Sequence, residues 1–404
     1  MNKPYTTQHI ICFALPAWHA DYLRSTVELM KCAANDNLVI YVDYAYTFGD
    51  CLKAILGKKK IDWKRILGFK NRLQKISGNN NKGLYVLSLP PIFPSFALNN
   101  YKLFKLANKF NAFLTGYYIN KAAKKFKMKQ IISFNAFQPF LGLYWKIRNV
   151  TFKVYYCYDD FTNVPYFKNF AAIDEKAYIA KVDLLIVTST ELQKIKTNPN
   201  IPTEIVHNGV HFNAFNKYFA TKQNPINTPI TIGYTGSIDN RIDINLLETV
   251  VKDMPHFNFL FIGKVFEPQV FSRLSQYKNV TFLPPVAPEY IPQLQSKINV
   301  GIIPYVLNSL TKAIYPLKAN EYLAMGLPVV ITPFASLGLA DEVVYTAANS
   351  ADFKTSLTLA TQPQSEEIIN KRLEISKNAD WQQRTNQLMA FILKYKQICG
   401  QKLN

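Results

Sequence analysis

The chain has 404 residues, 49% of them hydrophobic, and a formal net charge of +20. This length is too great for one ordinary domain, and the apolar content is sufficient for two buried cores. The five cysteines are scattered and the five histidines include no H-x-x-x-H pair, which argues against a disulfide framework or a structural zinc site. No apolar run reaches the ~18 residues needed to cross a bilayer. Because the N-terminus also lacks the pattern of a signal peptide, we expect a cytoplasmic protein.

Strands and helices alternate along the first half of the chain, which predicts a parallel sheet covered on both faces. The predicted strands are 9–15, 38–43, 84–89, 130–134, 152–158, 183–187 and 203–206, and the predicted helices are 18–34, 101–127 and 169–180. We expect residues 1–213 to form one doubly wound, Rossmann-like domain, followed by a polar linker at 213–229.

Residues 51–130, here called the basic segment, carry most of the charge. They contain eighteen Lys or Arg and one acidic residue, a net charge of +17 against +20 for the whole chain. Large apolar residues are interleaved with these charges, among them Trp63, Phe69, Phe104 and Phe113. This combination favours an anionic membrane surface as a partner, with a solvated face over core helices as the alternative. No nucleic-acid-binding motif accompanies the charge, so we do not expect nucleic acid as a partner.

Two adjacent carboxylates, Asp159 and Asp160, follow the predicted strand 152–158. A carboxylate in this place can take a proton from an attacking hydroxyl, and a helix cap is the other interpretation. Since neighbouring residues on a strand point in opposite directions, only one of the two can act, and we favour Asp160.

The alternation of strands and helices restarts after the linker. The predicted strands are 230–234, 257–262, 280–283, 300–303 and 329–331, and the predicted helices are 243–252, 287–295, 316–325 and 381–399. We expect residues 214–380 to form a second Rossmann-like domain. Residues 381–404 are predicted to be a C-terminal helix that crosses back to the first domain.

A turn of small residues follows the first strand of the second domain. Gly236 lets a ligand approach the backbone, Ser237 offers a hydroxyl, and Arg241 can neutralise negative charge. Such a turn at the carboxyl end of a strand, leading into a helix, is where α/β sheets bind phosphates. The alternative is that Asp239 or Asp243 simply caps the helix, which is compatible with ligand contact by its neighbours.

The most specific pattern is Tyr315-Pro316-Leu317-Lys318-Ala319-Asn320-Glu321-Tyr322-Leu323-Ala324-Met325-Gly326-Leu327-Pro328-Val329-Val330. Pro316 suits the first position of a helix, and Gly326 suits the left-handed conformation just after its end. Lys318 then lies in the first turn, where an anion is already favoured, and Glu321 follows on the same face. A cation at a helix N-terminus suits a diphosphate, and a carboxylate one turn later can accept two hydrogen bonds from a ribose.

This run resembles the donor-site helix of GT-B glycosyltransferases, in particular bacterial family 4-like enzymes that build surface polysaccharides. In that family the lysine contacts the diphosphate and the glutamate contacts the ribose. The resemblance implies an α/β fold of two doubly wound Rossmann-like domains facing an interdomain cleft. One position departs from the family pattern: Ala313 stands where a second glutamate, close to the transferred sugar, is usual.

The resemblance also assigns expected roles to particular residues. The donor-binding set that it implies is Gly236, Ser237, Arg241, Gly263, Tyr315, Pro316, Leu317, Lys318 and Glu321. The acceptor is expected in the first strand-to-helix turn, at Trp18 and His19, and at Arg24 in the next helix. His19 is a further candidate base, and a hydrogen-bonding helix cap is its alternative interpretation.

The function that follows is a hexosyltransferase-type reaction, from a nucleotide-diphospho-sugar to a hydroxyl of a glycan or lipid-linked glycan. We expect no metal and no cofactor beyond the nucleotide-sugar co-substrate, because cationic groups can neutralise the leaving diphosphate. The expected location is the inner face of the cytoplasmic membrane, with the protein attached peripherally. The alternatives are a GT-B sugar-nucleotide epimerase and a non-catalytic, basic membrane-binding module on the same fold.

Overall fold

The computed structural model describes residues 7–15, 17–18, 25–79, 81–160, 170–219 and 229–401. The chain forms two compact units, one of Met1–Val206 with Thr385–Asn404 and one of His207–Arg384. Among the described helices, none combines the length and the hydrophobicity that crossing a bilayer requires.

The first unit is built on an eight-stranded sheet. Its elements are β1 (His9–Ala14), α1 (Ser25–Ala33), β2 (Leu38–Val42), α2 (Phe48–Ile55), α3 (Trp63–Ile66), β3 (Leu73–Gly78), β4 (Gly83–Leu87), α4 (Tyr101–Lys125), β5 (Ile131–Ala136), α5 (Pro139–Gly142), β6 (Val150–Cys157), α6 (Ala171–Ile179), β7 (Leu184–Val187), α7 (Thr190–Lys196) and β8 (Thr203–Ile205). The strand order is β3-β4-β2-β1-β5-β6-β7-β8, and all neighbours are parallel except β3 and β4. The central strands β2 and β5 are buried along their whole length, as expected for a sheet covered on both faces.

The second unit is built on a six-stranded parallel sheet. Its elements are α8 (Phe212–Asn216), β9 (Thr231–Thr235), α9 (Ile244–Asp253), β10 (Asn258–Ile262), α10 (Pro268–Leu274), β11 (Val280–Leu283), α11 (Ile291–Gln295), β12 (Val300–Ile303), α12 (Ser309–Lys312), α13 (Leu317–Ala324), β13 (Val329–Ile331), β14 (Tyr345–Thr346), α14 (Ser350–Ala360) and α15 (Glu366–Asn378). A last helix, α16 (Trp381–Gln401), begins here, and its residues from Thr385 onward belong to the first unit. The strand order is β11-β10-β9-β12-β13-β14.

The reversal of strand order between β9 and β12 positions the candidate site of the second unit. Ligands of open α/β sheets bind outside the carboxyl ends of strands at such a switch point. Gly236 directly follows β9, and α13 connects β12 to β13 through its neighbour α12. The turn of small residues and the helix with Lys318 therefore meet at this point of the sheet.

The predicted α/β class with two doubly wound sheets is confirmed, and most element bounds agree within a few residues. Of the predicted helix 18–34, the described part is α1, and the remainder falls mainly on residues outside the described ranges. No element was predicted between the strands 38–43 and 84–89, whereas the structure contains α2, α3 and the antiparallel β3 in this part of the chain. An antiparallel edge strand of mostly exposed residues has no apolar pattern that would reveal it.

Candidate functional site

Two glycines bring bare backbone together at the carboxyl ends of β9 and β10. Gly236 has φ +128° and Gly263 has φ +149°, both in a region that side chains rarely adopt. The Gly236 N–H donates to the Ile262 carbonyl at 2.9 Å, and a Cβ on Gly263 would collide with the Gly236 carbonyl. The backbone at the Gly236 turn is therefore not covered by a side chain, which is the geometry that a phosphate needs for close approach.

The Lys318 ammonium lies beside this turn. A Cβ built on Gly236 would be 3.4 Å from Lys318 Nζ. The ammonium donates to the Tyr305 hydroxyl at 2.6 Å and lies 4.8 and 4.9 Å from the ring centres of Tyr234 and Tyr305. In the described part of the chain no carboxylate lies within 4.0 Å of it. The positive charge is thus held in place by neutral groups and is available to an anion.

Tyr305 joins three elements of the site, although no local sequence pattern marks it as a site residue. Burial alone would raise the pKa of its phenol, but the positive charges of Lys318 and Arg241 outweigh this effect and lower the pKa below its usual value. Its neighbour Val306 donates from its N–H to the Arg241 carbonyl at 2.8 Å, which ties the loop after β12 to the loop after β9. The feature that could have marked Tyr305 as a site residue is its position two residues after the carboxyl end of β12, at the switch point of the sheet.

Arg241, predicted to neutralise a ligand's charge, already has a carboxylate partner. Its Nε and Nη2 atoms donate to Asp239 Oδ1 and Oδ2 at 2.8 and 2.6 Å. The guanidinium carbon lies 5.4 Å from the centre of the Tyr305 ring. Asp243 caps α9 by accepting from the Leu246 N–H at 3.0 Å, as the alternative reading of this loop foresaw.

Glu321 lies one turn along α13 from Lys318 and is half-buried. Its Oε2 atom accepts a hydrogen bond from Gln295 Nε2 at 3.0 Å, and the same amide donates to Thr235 Oγ1 at 2.7 Å. Burial raises the pKa of the Glu321 carboxyl, while the bond from Gln295 and the charge of Lys318 oppose that rise. Gln295 is a further site residue that the sequence did not reveal, since a glutamine near the end of a short helix carries no distinguishing pattern.

The start of α13 is fixed by the turn His207-Asn208-Gly209. The His207 and Tyr315 rings are stacked with centres 4.3 Å apart. Asn208 Nδ2 donates to the Tyr315 carbonyl at 2.7 Å, and Asn320 Nδ2 returns a bond to the Asn208 carbonyl at 2.9 Å. Tyr315 is therefore a buried support of the helix start.

The other donor-binding candidates surround this arrangement. Pro316 is the N-cap of α13, one position earlier than predicted, and Gly326 has the predicted positive φ of 68° after the helix. Leu317 and Ser237 are half-buried, and the Ser237 carbonyl accepts from the Tyr234 hydroxyl at 2.7 Å. The structure thus brings Gly236, Ser237, Gly263 and Lys318 together at one end of the sheet, with Glu321 a turn away.

In the first unit, Asp160 belongs to a buried ion cluster. Lys196 Nζ donates to Asp160 Oδ1 at 2.7 Å and to Glu175 Oε2 at 2.6 Å. The Tyr155 hydroxyl donates to the other oxygen of Glu175 at 2.7 Å. Asp160 is only 5% exposed, whereas Asp159 is half-buried and accepts from the Asp160 N–H at 2.8 Å. Both residues lie after β6, which ends at Cys157, so the alternation of a strand does not separate them. They differ in burial, and Asp159 is the more exposed of the two.

The predicted acceptor residues are described only in part. The Trp18 N–H donates to Asp43 Oδ1 at 2.6 Å, and the Trp18 ring meets that of Tyr41 edge to face at 5.1 Å between centres. His19 and Arg24 lie outside the described residues.

Comparison with known proteins finds similarity to glycosyltransferases in the second unit. Residues 229–371 match the sequence model of the family "Glycosyl transferases group 1". The chain is also 28% identical over 222 residues to TuaH of Bacillus subtilis strain 168, whose name places it in teichuronic acid biosynthesis as a glycosyltransferase. That alignment covers 51% of this chain and 53% of TuaH, so it spans about half of the relative's length.

Solved structures with the same fold extend over nearly the whole chain. Sucrose-phosphate synthase of Thermosynechococcus elongatus superposes with a TM-score of 0.66 at 15% identity, covering 97% of this chain and 99% of that one. The catalytic domain of starch synthase IV from Arabidopsis thaliana gives 0.63 at 11% identity, covering 97% and 100%. These likenesses establish the GT-B fold. Together with the family match they confirm the predicted resemblance, and they do not favour the epimerase or the non-catalytic module.

Proposed function

We propose that this GT-B protein, whose second unit belongs to the group 1 glycosyl transferases, moves a sugar from a nucleotide-diphospho-sugar to a hydroxyl of a cell-surface glycan. The observation that carries the proposal is the uncompensated Lys318 ammonium beside the bare backbone of Gly236. A positive charge next to exposed main chain at a sheet switch point is suited to a diphosphate.

The donor is proposed to occupy the carboxyl ends of β9 and β12. Its diphosphate lies against Gly236 and the first turn of α13, where Lys318 supplies the counter-charge. Its ribose donates hydrogen bonds to Glu321, whose carboxylate is positioned by Gln295. Among the structural neighbours, the starch synthase IV domain was solved bound to ADP and acarbose, which is consistent with a nucleotide site in this fold.

In the transfer step, the acceptor hydroxyl oxygen forms a bond to the anomeric carbon of the sugar as the bond from that carbon to the diphosphate breaks. The nucleoside diphosphate leaves with the bonding electrons, and Lys318 stabilises its charge. We assign acceptance of the hydroxyl proton to Asp159, because Lys196 already occupies an oxygen of Asp160. Charge neutralisation by Lys318 and the helix start requires no metal, so chelators should leave turnover unchanged.

The acceptor is proposed to be a glycan or lipid-linked glycan of the cell surface. The name of TuaH supports a role in surface polysaccharide synthesis for that relative. The same proposal for this chain rests on its GT-B fold and on the family of its second unit.

The first unit is proposed to bring the enzyme to an anionic membrane. Of the exposed large apolar side chains in the described residues, thirteen of twenty-three lie within 48–117, inside or next to the basic segment. Five of them form a stripe along α4, spaced three and four residues apart and 53–78% exposed: Leu103, Leu106, Phe110, Phe113 and Tyr117. The helix has six lysines and no acidic residue. An apolar stripe flanked by cations suits an anionic lipid surface. Phe104, expected to contribute, is fully buried on the opposite face.

Vesicle flotation tests the membrane proposal. Phe110→Glu with Phe113→Glu should release the protein from acidic vesicles, because both rings and the local positive charge are lost. The matched control, Leu339→Glu with Leu359→Glu, makes the same charge change at exposed positions of the second unit and should leave flotation unchanged. Equal flotation of the wild type with neutral and acidic lipid, or none with either, contradicts the proposal.

The transfer itself is tested in two stages. A thermal-shift screen of nucleoside diphosphates and their sugars should find a stabilising donor, since a ligand at 100 times its dissociation constant adds about 2.7 kcal/mol. With that donor, Asp159→Asn should lower turnover by a factor on the order of 10²–10⁴ at unchanged donor affinity. A chain stabilised by no nucleotide would overturn the proposal, and full turnover in Asp159→Asn would move the base elsewhere.

A further inference from the structure

The first unit has a group of exposed cations at the amino ends of β5 and β6. The chain contains no acidic residue between Asp62 and Asp159, so the end of α4 and the turns that lead into these two strands carry positive charge only. Within the part of the chain that the structure describes, no carboxylate lies within 4.0 Å of the charged groups concerned. This amino-end cluster consists of Lys124, Lys125, Lys127, Lys129, Lys146 and Arg148, all exposed.

Hydrogen bonds join the three parts of the amino-end cluster into one surface. Asn120 of α4 donates from Nδ2 to the Lys146 carbonyl at 3.0 Å and accepts from the Arg148 N–H at 2.9 Å. Asn149 Nδ2 donates to the Met128 carbonyl at 3.1 Å, which links the turn before β6 to the turn before β5. The backbone of all three parts is therefore fixed, and the chain cannot relieve repulsion among the cations by moving these turns apart.

This arrangement brings like charges together in the free protein. β5 and β6 are parallel neighbours with Ile131 opposite Val150, and Lys129 and Arg148 each stand two residues before this pair. Like charges on adjacent segments of a sheet are unfavourable. The lysines at the end of α4 have an ordinary explanation, because the helix dipole favours cations there. It does not explain the cations before β5 and β6, so their repulsion is left for an anionic partner to offset.

The surface of the cluster is polar, unlike the apolar stripe on α4. The stripe ends at Tyr117, and of the described residues between 118 and 172 no large apolar side chain is exposed. A lipid surface, which the stripe suits, therefore finds nothing apolar to hold here. Exposed aromatic rings, on which the bases of a single-stranded nucleic acid stack, are missing from the same described residues. The partner that remains is a hydrated polyanion.

The cluster lies at the opposite end of β6 from the proposed base. The strand spans Val150–Cys157, with Arg148 before its start and Asp159 after its end. At about 3.3 Å per residue, the backbones of Arg148 and Asp159 are roughly 30–35 Å apart. A ligand that reaches both is therefore a chain of several units and not a single sugar.

We propose that the amino-end cluster binds an acidic glycan chain, a polymer with a negative charge on its repeating units. The word glycan rests on the proposed function, because an enzyme that builds surface glycans meets such chains, whereas recognition of a hydrated polyanion stands on the cluster itself. The contact holds a long acidic chain on the first unit and takes no part in the transfer step.

Fluorescence anisotropy with a labelled decamer of galacturonic acid tests the proposal on the full chain. The acidic decamer should bind, and a neutral glucose decamer should bind at least about tenfold more weakly. Affinity for the acidic decamer should fall with added salt, because the contact consists of exposed charges.

A pair of charge reversals locates the binding surface. Lys129→Glu with Arg148→Glu should weaken the acidic decamer about tenfold or more, since two attractive contacts become repulsive. The matched control, Lys53→Glu with Lys64→Glu, makes the same charge change at exposed positions of the basic segment outside the cluster and should leave affinity unchanged. Nucleoside diphosphate affinity should be unchanged in both variants, because the donor residues belong to the second unit.

Four outcomes overturn the proposal. They are equal affinity for the acidic and neutral decamers, wild-type affinity in the cluster variant, tighter binding of a thymidylate decamer, and a loss of acidic-vesicle flotation as large as that caused by Phe110→Glu with Phe113→Glu. The third assigns the cluster to nucleic acid and the fourth to lipid. If the acidic decamer binds as expected but no nucleotide does, the proposed transfer fails and the polyanion surface survives.

Discussion

Two lysines show how differently the two units of this protein use a positive charge. Lys196 in the first unit is 9% exposed and bonded to two carboxylates, at 2.7 and 2.6 Å. Lys318 in the second unit is half-buried and contacts a phenol and two aromatic faces. Lys196 is enclosed by more negative charge than it carries, whereas Lys318 is oriented by groups that leave its charge uncompensated.

This difference separates a positive charge that is compensated within the protein from one that can still attract an anion. Burying an ion costs several kcal/mol, and a closed cluster offsets that cost only when every member has its partner. A closed cluster therefore has no capacity left for a ligand. An ammonium held by neutral groups beside exposed backbone keeps its capacity to bind an anion. By the same reasoning, Asp159 is a better candidate for the general base than Asp160.

The largest expected effect comes from opening the closed cluster. Lys196→Met should lower the free energy of unfolding by about 3–5 kcal/mol, because the buried carboxylates of Asp160 and Glu175 lose the cation that bonds to both of them. Urea denaturation measures it. Adding Asp160→Asn and Glu175→Gln to the same variant should restore part of the loss, since both buried negative charges are then removed together with the positive one. Unchanged stability in Lys196→Met would show that the cluster does not carry the role assigned to it.

A smaller effect, on binding only, is expected from the uncompensated lysine. Lys318→Ala should weaken nucleoside diphosphate binding by about 1.5–3 kcal/mol, roughly 10- to 150-fold in Kd, with little loss of stability. Glu321→Ala should act in the same direction through the ribose. Calorimetry measures both, with Lys297→Ala, an exposed lysine of the same unit, as the control. Wild-type affinity in Lys318→Ala and Glu321→Ala would remove the basis of the donor site.

Whether a part of the fold or of the candidate site could be predicted from the sequence depends on the kind of sequence pattern that marks it. The helix with Lys318 and Glu321 was predictable because proline, glycine and apolar spacing mark its ends and its faces locally. Tyr305 and Gln295 were not predictable, because their roles arise from contacts with residues that are distant in sequence. Tyr305 contacts Lys318, 13 positions away, and Gln295 contacts Thr235, 60 positions away. The pairing of Asp160 with Lys196, 36 positions away, was hidden for the same reason. A local sequence pattern predicts helices and strands, whereas the order of the strands in the sheet decides which residue pairs with a charged side chain.

The support of Lys318 by a neutral group can be tested directly. Tyr305→Phe keeps the aromatic face but removes the hydroxyl that accepts from Lys318. Loss of one hydrogen bond of about 0.5–1.5 kcal/mol should raise the KM for the donor roughly 2- to 12-fold while kcat is retained. Tyr345→Phe, which removes a phenol bonded to Gln364 in the same unit, is the matched control. A fall in kcat without a change in KM would place Tyr305 in the chemical step instead of in the positioning of Lys318.

The smallest expected effect is on how the stability of the free protein depends on pH. The pH dependence of nucleotide affinity should have the opposite sign. Because burial raises the pKa of Glu321 above its ordinary 4.5, the folded state binds more protons than the unfolded chain between 4.5 and the raised value. The contribution of this group to the free energy of unfolding therefore declines as pH rises through that window. Glu321→Gln should abolish this decline and leave the free protein slightly more stable than wild type at neutral pH.

Nucleotide affinity should respond to pH in the other direction. In the wild type, affinity should fall as pH is lowered through the pKa of Glu321, because the ribose needs the ionised carboxylate. In Glu321→Gln, affinity should be weak at every pH. Thermal unfolding and calorimetry across the same pH series separate the two trends, and a variant that keeps the wild-type pH dependence of affinity would show that another group titrates at the ribose.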